Sequence, residues 1–217
     1  VINIKIISFT AIDKAGKHTQ SNLLHEYLLK CGYKSVKSEF HDYQSPTGKL
    51  IQGYLYAKQE DRPSHVIPYN VSKETIELIM AADKQAKQDW FNDLEKRGVD
   101  FLILDRYILD QLVYGLNAGH DEEWLLSLQS KMRQPDLEIV IDIPAEESIR
   151  RRGKHGANDR YESDYNFLND IRHTLLSDKF TNRGTYRIIF NGMQSVEDIH
   201  KDIVEAVTRH FEVSNEQ

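Results

Sequence analysis

The stretch IKIISFTAIDKAGKHTQ, residues 4–20, decides how this 217-residue chain is read. Ile4, Ile6, Ile7 and Phe9 form an apolar, largely β-branched run that stops at residues 11–16. From Lys17 onward, Leu23, Leu24, Tyr27 and Leu28 recur at helical spacing. The order is strand, tight loop, helix. In that context the N–H groups of the loop and helix N-terminus converge on an anion, and a lysine reaches terminal phosphates. The spacing meets G-x-x-x-x-G-K-S/T only in part: Gly16 and Lys17 are in place, but Ala11 stands at the first glycine. His18 stands at the Mg²⁺-ligating hydroxyl, with Thr19 beside it. Taken alone, AGK after a strand is equally a plain turn, so the rest of the chain has to decide.

Strands and helices alternate from there to the end. CGYK stops the first helix, with Gly32 placed for a left-handed conformation. Residues 36–40 read as a short strand. Ser45-Pro46 reads as an N-cap followed by proline at the first helical position, opening a helix through Leu50, Ile51, Tyr54 and Leu55. A polar loop at 58–68 precedes one long helix predicted over 69–97, ended by Gly98. FLILDRY, residues 101–107, is apolar throughout, as a strand buried on both faces is. Helices at about 109–116 and 121–133, a strand at 138–143 and a helix from 145 to 152 follow. A helix at 163–180, a strand at 186–190 and a closing helix at 195–211 complete the chain. This pattern predicts one α/β domain over residues 1–212: about five parallel strands, helices on both faces, and a frayed tail at 213–217.

A net charge of −6 excludes a general binder of nucleic acid polymers, whose backbone it would repel. One local basic cluster remains: Arg150, Arg151, Arg152, Lys154 and Arg160. The single cysteine, Cys31, excludes an internal disulfide, fits a reducing compartment and is expected to be a buried structural thiol. No apolar stretch approaches spanning length and the N-terminus lacks a leader pattern, so a soluble cytoplasmic protein without a membrane partner is expected. The histidines are scattered without metal-ligand spacing, and no nucleophile–base pattern stands out.

Asp105 closes a buried strand at the sheet edge where ligands bind in open α/β folds. There it can hold Mg²⁺, directly or through water, or it can cap a helix or pair with Arg106. Asp13 and Lys14 lie inside the loop, where a cation can stabilise a transferring phosphoryl group or simply face solvent. The basic cluster at about 150–161 suits a mobile lid over polyphosphate, or a solvated charge run.

In this order and spacing the segments resemble the thymidylate kinase family of nucleoside monophosphate kinases. Its loop, F-x-G-x-D-x-x-G-K-S/T-T-Q, is matched by residues 9–20, and its FP-x-Y-x-SP-x-G-x-x-I-x-x-YL segment by FHDYQSPTGKLIQGYL. Its NPY…AADR helix is matched by IPYNVSKETIELIMAADKQAK, DRY is present at 105–107, and RG…DR-I/Y-E runs from Arg152 to Glu162. The resemblance implies a three-layer P-loop NTPase fold and Mg²⁺-dependent transfer from ATP to a deoxypyrimidine monophosphate, with dTMP as the default acceptor. It implies that Asp13, Ala15, Gly16, Lys17, His18 and Thr19 line the ATP phosphates, with Lys14, Arg152 and Arg160 stabilising transferred charge. Asp105 would organise Mg²⁺. Asp13, Phe40, Tyr43, Met80, Lys84, Arg106, Tyr107 and Tyr114 would hold the acceptor, and Asn191 and Gly192 would form the adenine loop. It also implies small-molecule nucleotide partners and a homodimer.

The departures fall on metal handling and base choice. An imidazole favours softer metals than Mg²⁺, and Ala11 adds a Cβ where close backbone approach is usual. Met80 stands where an aromatic often stacks on thymine, and Lys84 stands at a base-reading arginine whose fork it cannot reproduce. A kinase for dUMP or a 5-modified deoxyuridylate is therefore an alternative, as is a non-catalytic nucleotide-binding relative.

Overall fold

The computed structural model describes residues 3–56, 71–151, 164–181 and 183–213. The first strand, β1 (Lys5–Thr10), is buried from Ile6 onward and sits at the centre of a five-stranded parallel sheet. Helix α1 (Lys17–Lys30) returns the chain to β2 (Ser35–Glu39). Helices α2 (Pro46–Tyr56), α3 (Lys73–Gln85) and α4 (Gln88–Lys96) lead to β3 (Phe101–Asp105). Helices α5 (Ile108–Asn117) and α6 (Glu122–Leu128) precede β4 (Leu137–Asp142). Helices α7 (Ala145–Arg150) and α8 (Tyr165–Leu176), strand β5 (Tyr186–Asn191) and helix α9 (Val196–Phe211) follow. The strand order is β2-β3-β1-β4-β5.

Every residue of β3 is buried, and β1 and β4 nearly so, because both sheet faces are covered. Helices α1 and α9 pack together, and α5 packs on α8. With β3 on one side of β1 and β4 on the other, the winding reverses at β1 and opens a crevice at the carboxyl ends of the strands. The loop at 11–16 leaves β1 at that crevice.

The expected single helix over 69–97 is two helices. Its start is fixed by the Ser72 side chain, which accepts from Thr75 N, and α3 ends at Gln85. The break lacks Gly or Pro and is set by distant partners. Gln88 donates to Lys84 O and Tyr107 Oη and accepts from Arg133 N, and Lys87 Nζ reaches Asp42 Oδ2 at 2.9 Å. The helix expected over 121–133 ends at Leu128. The Ser45 N-cap is as expected: its Oγ accepts from Gly48 N at 2.9 Å. Cys31 is only partly buried, at the C-cap of α1, rather than a core thiol. Val213, expected in the frayed tail, is buried and donates its N–H to Thr208 O at 3.1 Å. The lid arginines Arg152 and Arg160, most of the 150–161 segment, the 58–68 loop and residues 214–217 lie outside the described residues.

Candidate active site

Two left-handed residues shape the loop: Lys14 at φ 62° and Gly16, the residue before α1, at φ 98°. Glycine takes that conformation at little cost, which is why it stands where the loop turns into the helix. Helix α1 has no side-chain N-cap bond and no acid in its first turn, so its N-terminal N–H groups and positive dipole end are uncompensated. Lys17 Nζ folds back to donate to Ala11 O and Ile12 O, both at 3.1 Å. Burial lowers its pKa, and the Arg106 charge lowers it further. A buried cation whose hydrogen bonds among the described residues go to loop carbonyls is poised to exchange them for phosphate oxygens. Ala11 is fully buried within the apolar core, so its methyl packs inward instead of obstructing the loop.

Other segments hold this loop in place. Ser148 Oγ donates to Asp13 O at 2.7 Å. Arg151 donates to Lys14 O at 3.2 Å and to Gly192 O at 3.3 Å, tying the phosphate loop to the turn after β5. That turn carries Asn191 and Gly192, and a Cβ on Gly192 would lie 2.6 Å from the Ile143 side chain, so only glycine fits. Gln20, at the helix start, donates to Val196 O and fastens α1 to α9, while Thr19 and His18 are exposed.

A cleft of about 130 Å³ opens beside the loop. Asp13, Phe40, Tyr43 and Met80 line it, as do Lys84, Arg106, Tyr107 and Tyr114. All eight residues expected on the acceptor side thus meet in one place. Arg106, at φ 64°, is held between two carboxylates: its Nη2 pairs with Asp13 Oδ1, and its Nη1 donates to Asp110 Oδ1 at 2.9 Å. Burial opposes ionisation of Asp13, but Arg106, Lys17 and Lys14 outweigh it and keep its pKa below the usual carboxylate value. Burial dominates at Asp110 and raises its pKa despite Arg106. Asp110 also accepts from Thr10 Oγ1 at 2.8 Å, which accounts for the loop-side threonine. Tyr107 backs the wall: it is fully buried, stacked on Phe40, and its hydroxyl donates to Arg133 O.

The deep end of the cleft is a buried polar belt that sequence reasoning largely missed. Lys84 Nζ donates to Gln111 Oε1 at 3.0 Å, and Gln111 Nε2 donates to Glu77 Oε2 at 2.9 Å. Burial lowers the Lys84 pKa to about 8 and raises that of Glu77. His41, also lining the cleft, is pushed down to about 4 by burial and by Lys84. Asp83 anchors the α2 entry, accepting from Ser45 Oγ, Thr47 Oγ1 and Asp42 N. Burial works against its charge, but these donors and His41 hold its pKa well below normal.

Three donors converge at the loop's outer edge: His18 Nδ1 lies 3.4 Å from Asp105 Oδ2 and 3.9 Å from Glu39 Oε2. One nitrogen and two carboxylates fit a divalent cation. Glu39 was invisible to motif reading; its signal is that it ends β2 in register with Asp105, the last residue of β3.

Similarity to known proteins agrees with this geometry. The thymidylate kinase family model matches residues 11–203. A probable thymidylate kinase of Pyrococcus horikoshii is 32% identical over 206 residues, 94% of this chain and 95% of the relative. One from Thermococcus onnurineus is 31% identical, covering 93% of this chain and 96% of the relative. A thymidylate kinase of Plasmodium falciparum is 26% identical over 94% of this chain and 90% of its own length. A solved structure of thymidylate kinase from Candida albicans shares the fold with a TM-score of 0.76, at 23% identity, covering 98% of this chain and 94% of that one. Together these findings mean that the chain belongs to the thymidylate kinase family of nucleoside monophosphate kinases.

Proposed function

We propose that this kinase transfers the γ-phosphoryl group of ATP to dTMP. The observation that carries the reading is Asp13. It belongs to the phosphate loop, lines the acceptor cleft and pairs with Arg106. One residue therefore joins the two places between which a phosphoryl group has to pass. Lys17 and the N-terminal N–H groups of α1 receive the donor phosphates, and Arg106, held by Asp13 and Asp110, orients the acceptor phosphate. Phe40 and Tyr114 flank the nucleoside, and Arg151 keeps the loop in register with the turn at Asn191 and Gly192. His18, Glu39 and Asp105 would hold a divalent cation, which when bound neutralises charge on the donor phosphates. Lys14 and the lid residues Arg152 and Arg160 complete the cationic set in this reading.

A second reading concerns the base. Met80 and Lys84, backed by Glu77, replace the aromatic and arginine of thymine readers, which favours dUMP or a 5-modified deoxyuridylate. ATP consumption across dTMP, dUMP, 5-hydroxymethyl-dUMP, dCMP, dGMP and UMP separates the two. The highest kcat/KM on dTMP supports the first reading, and a maximum on another deoxyuridylate supports the second. No turnover with any acceptor refutes both. We also infer a homodimer, for which Leu78, half-exposed on α3, is a candidate contact; a monomeric mass by light scattering would exclude it.

A further inference from the structure

We infer that His18, Glu39 and Asp105 form a binding site selective for a transition-metal dication of the Mn²⁺ or Co²⁺ class over Mg²⁺. The inference concerns the metal's identity and two of its ligands. It rests on the kinase reading only for the phosphate oxygens that would complete the shell.

The site is built by the fold. Glu39 and Asp105 are the last residues of adjacent parallel strands and are paired in register, so their side chains leave the sheet on the same face. His18, in the first turn of α1, faces both. Donors about 2.1 Å from a shared ion lie roughly 3.0 Å apart when cis in an octahedron and roughly 3.4 Å apart in a tetrahedron. The His18–Asp105 separation of 3.4 Å already fits, and the 3.9 Å to Glu39 needs only a small rotation of an exposed side chain.

A second observation points to a ligand. Asp105 is only 7% exposed, and no donor among the described residues hydrogen-bonds its carboxylate; His18 Nδ1 lies 3.4 Å away and Glu39 beside it, while Lys17 and Arg106 act on it only through their charge. Buried carboxylates are ordinarily satisfied. The chemistry of the set then chooses the ion. Mg²⁺ demands oxygen ligands in a strict octahedron, whereas imidazole nitrogen favours later, more polarisable dications. One feature opposes binding: Lys37 Nζ is 3.5 Å from His18 Nδ1 and must move away when a cation enters. Lys37 is partly exposed on a flexible stem, so it can swing outward.

The test uses the full chain without nucleotide, then with a non-hydrolysable ATP analogue. Mn²⁺ binding is followed by loss of its free paramagnetic resonance signal, and Co²⁺ binding by its visible absorption. The expected result is Mn²⁺ affinity exceeding Mg²⁺ affinity by about tenfold or more, with a nitrogen hyperfine coupling on bound Mn²⁺. His18→Ala removes that coupling and weakens Mn²⁺ and Co²⁺ by about tenfold or more while leaving Mg²⁺ unchanged. Lys37→Gln tightens all three. His18 is 66% exposed, so its loss does not threaten folding, which circular dichroism checks. Equal affinity for Mn²⁺ and Mg²⁺, absence of nitrogen coupling, or unaltered Co²⁺ binding in His18→Ala overturns the proposal. So does failure of both metals to bind with and without the analogue. Failure of every acceptor in the kinase assay overturns the functional reading instead, since the metal titration does not depend on turnover.

Discussion

Arg106 occupies a left-handed backbone position between Asp13 and Asp110, both within the cleft's wall. Its planar fork can serve both acids and still present a donor to a phosphate, which a lysine's point charge cannot. Arg106→Lys keeps the charge, and so leaves neither carboxylate buried without a cation. Its expected effect is a loss of about 10- to 100-fold in acceptor kcat/KM, from one or two charge-assisted hydrogen bonds. Steady-state kinetics on the acceptor arm check this, and an unchanged value would remove Arg106 from the phosphate site. Lys84 makes a different prediction. Its folded pKa of about 8 lies below the ordinary lysine value, so between pH 8 and 10.5 the unfolded chain binds more protons than the folded one. Stability contributed by this group therefore rises with pH through that window. Below it, the full penalty stands, on the order of 3 kcal/mol. Urea denaturation at pH 7 to 10 should show this upward slope in the natural chain and a flatter one in Lys84→Met.

At the scale of elements, local chemistry and distant contacts divide the work. The strand–loop–helix at residues 4–20, the Ser45-Pro46 start of α2 and the Gly98 stop after α4 were legible because each is written in a few adjacent residues. The break between α3 and α4 was not, since it depends on Gln88 bonding Tyr107 and Arg133, which lie far along the chain. The same reason hid Glu39, Asp83, Glu77 and Gln111. Each acts through a partner brought near only by the sheet register or helix packing. Asp83 illustrates the consequence at α2, where Gly48 packs so closely that an added Cβ would lie 1.7 Å from Asp42 O. Gly48→Ala therefore has to displace the 42–45 turn from Asp83, at a cost of about 3 kcal/mol or more. Gly16→Ala meets no neighbour within 4 Å and loses only its left-handed ease, about 1 kcal/mol. Urea midpoints should rank the two variants in that order. A reversed order would mean that the loop, not the α2 entry, is the tighter packing.

For the molecule as a whole, the winding reversal at β1 gathers residues that are remote in sequence. Arg106 and Asp13 are 93 positions apart, and Ser148 and Asp13 are 135 apart. None of these contacts exists in the unfolded chain, so a nucleotide that binds the cleft binds the native state alone and adds its free energy to global stability. At a concentration of about 100 Kd that gain is about 2.7 kcal/mol. For a domain of this size it corresponds to a rise of roughly 5–10 °C in melting temperature. Scanning calorimetry with dTMP should show this rise, dGMP should not, and Arg106→Lys should show a smaller shift at the same dTMP concentration. The comparison with dUMP and 5-hydroxymethyl-dUMP carries the discriminating power, because all share the phosphate and deoxyribose and differ only at the base edge near Met80, Lys84 and Glu77. A larger rise with either of them than with dTMP would reassign the acceptor without any assay of turnover. Equal rises for all three would place the recognition energy on the phosphate at Arg106 and leave the buried polar belt as scaffolding.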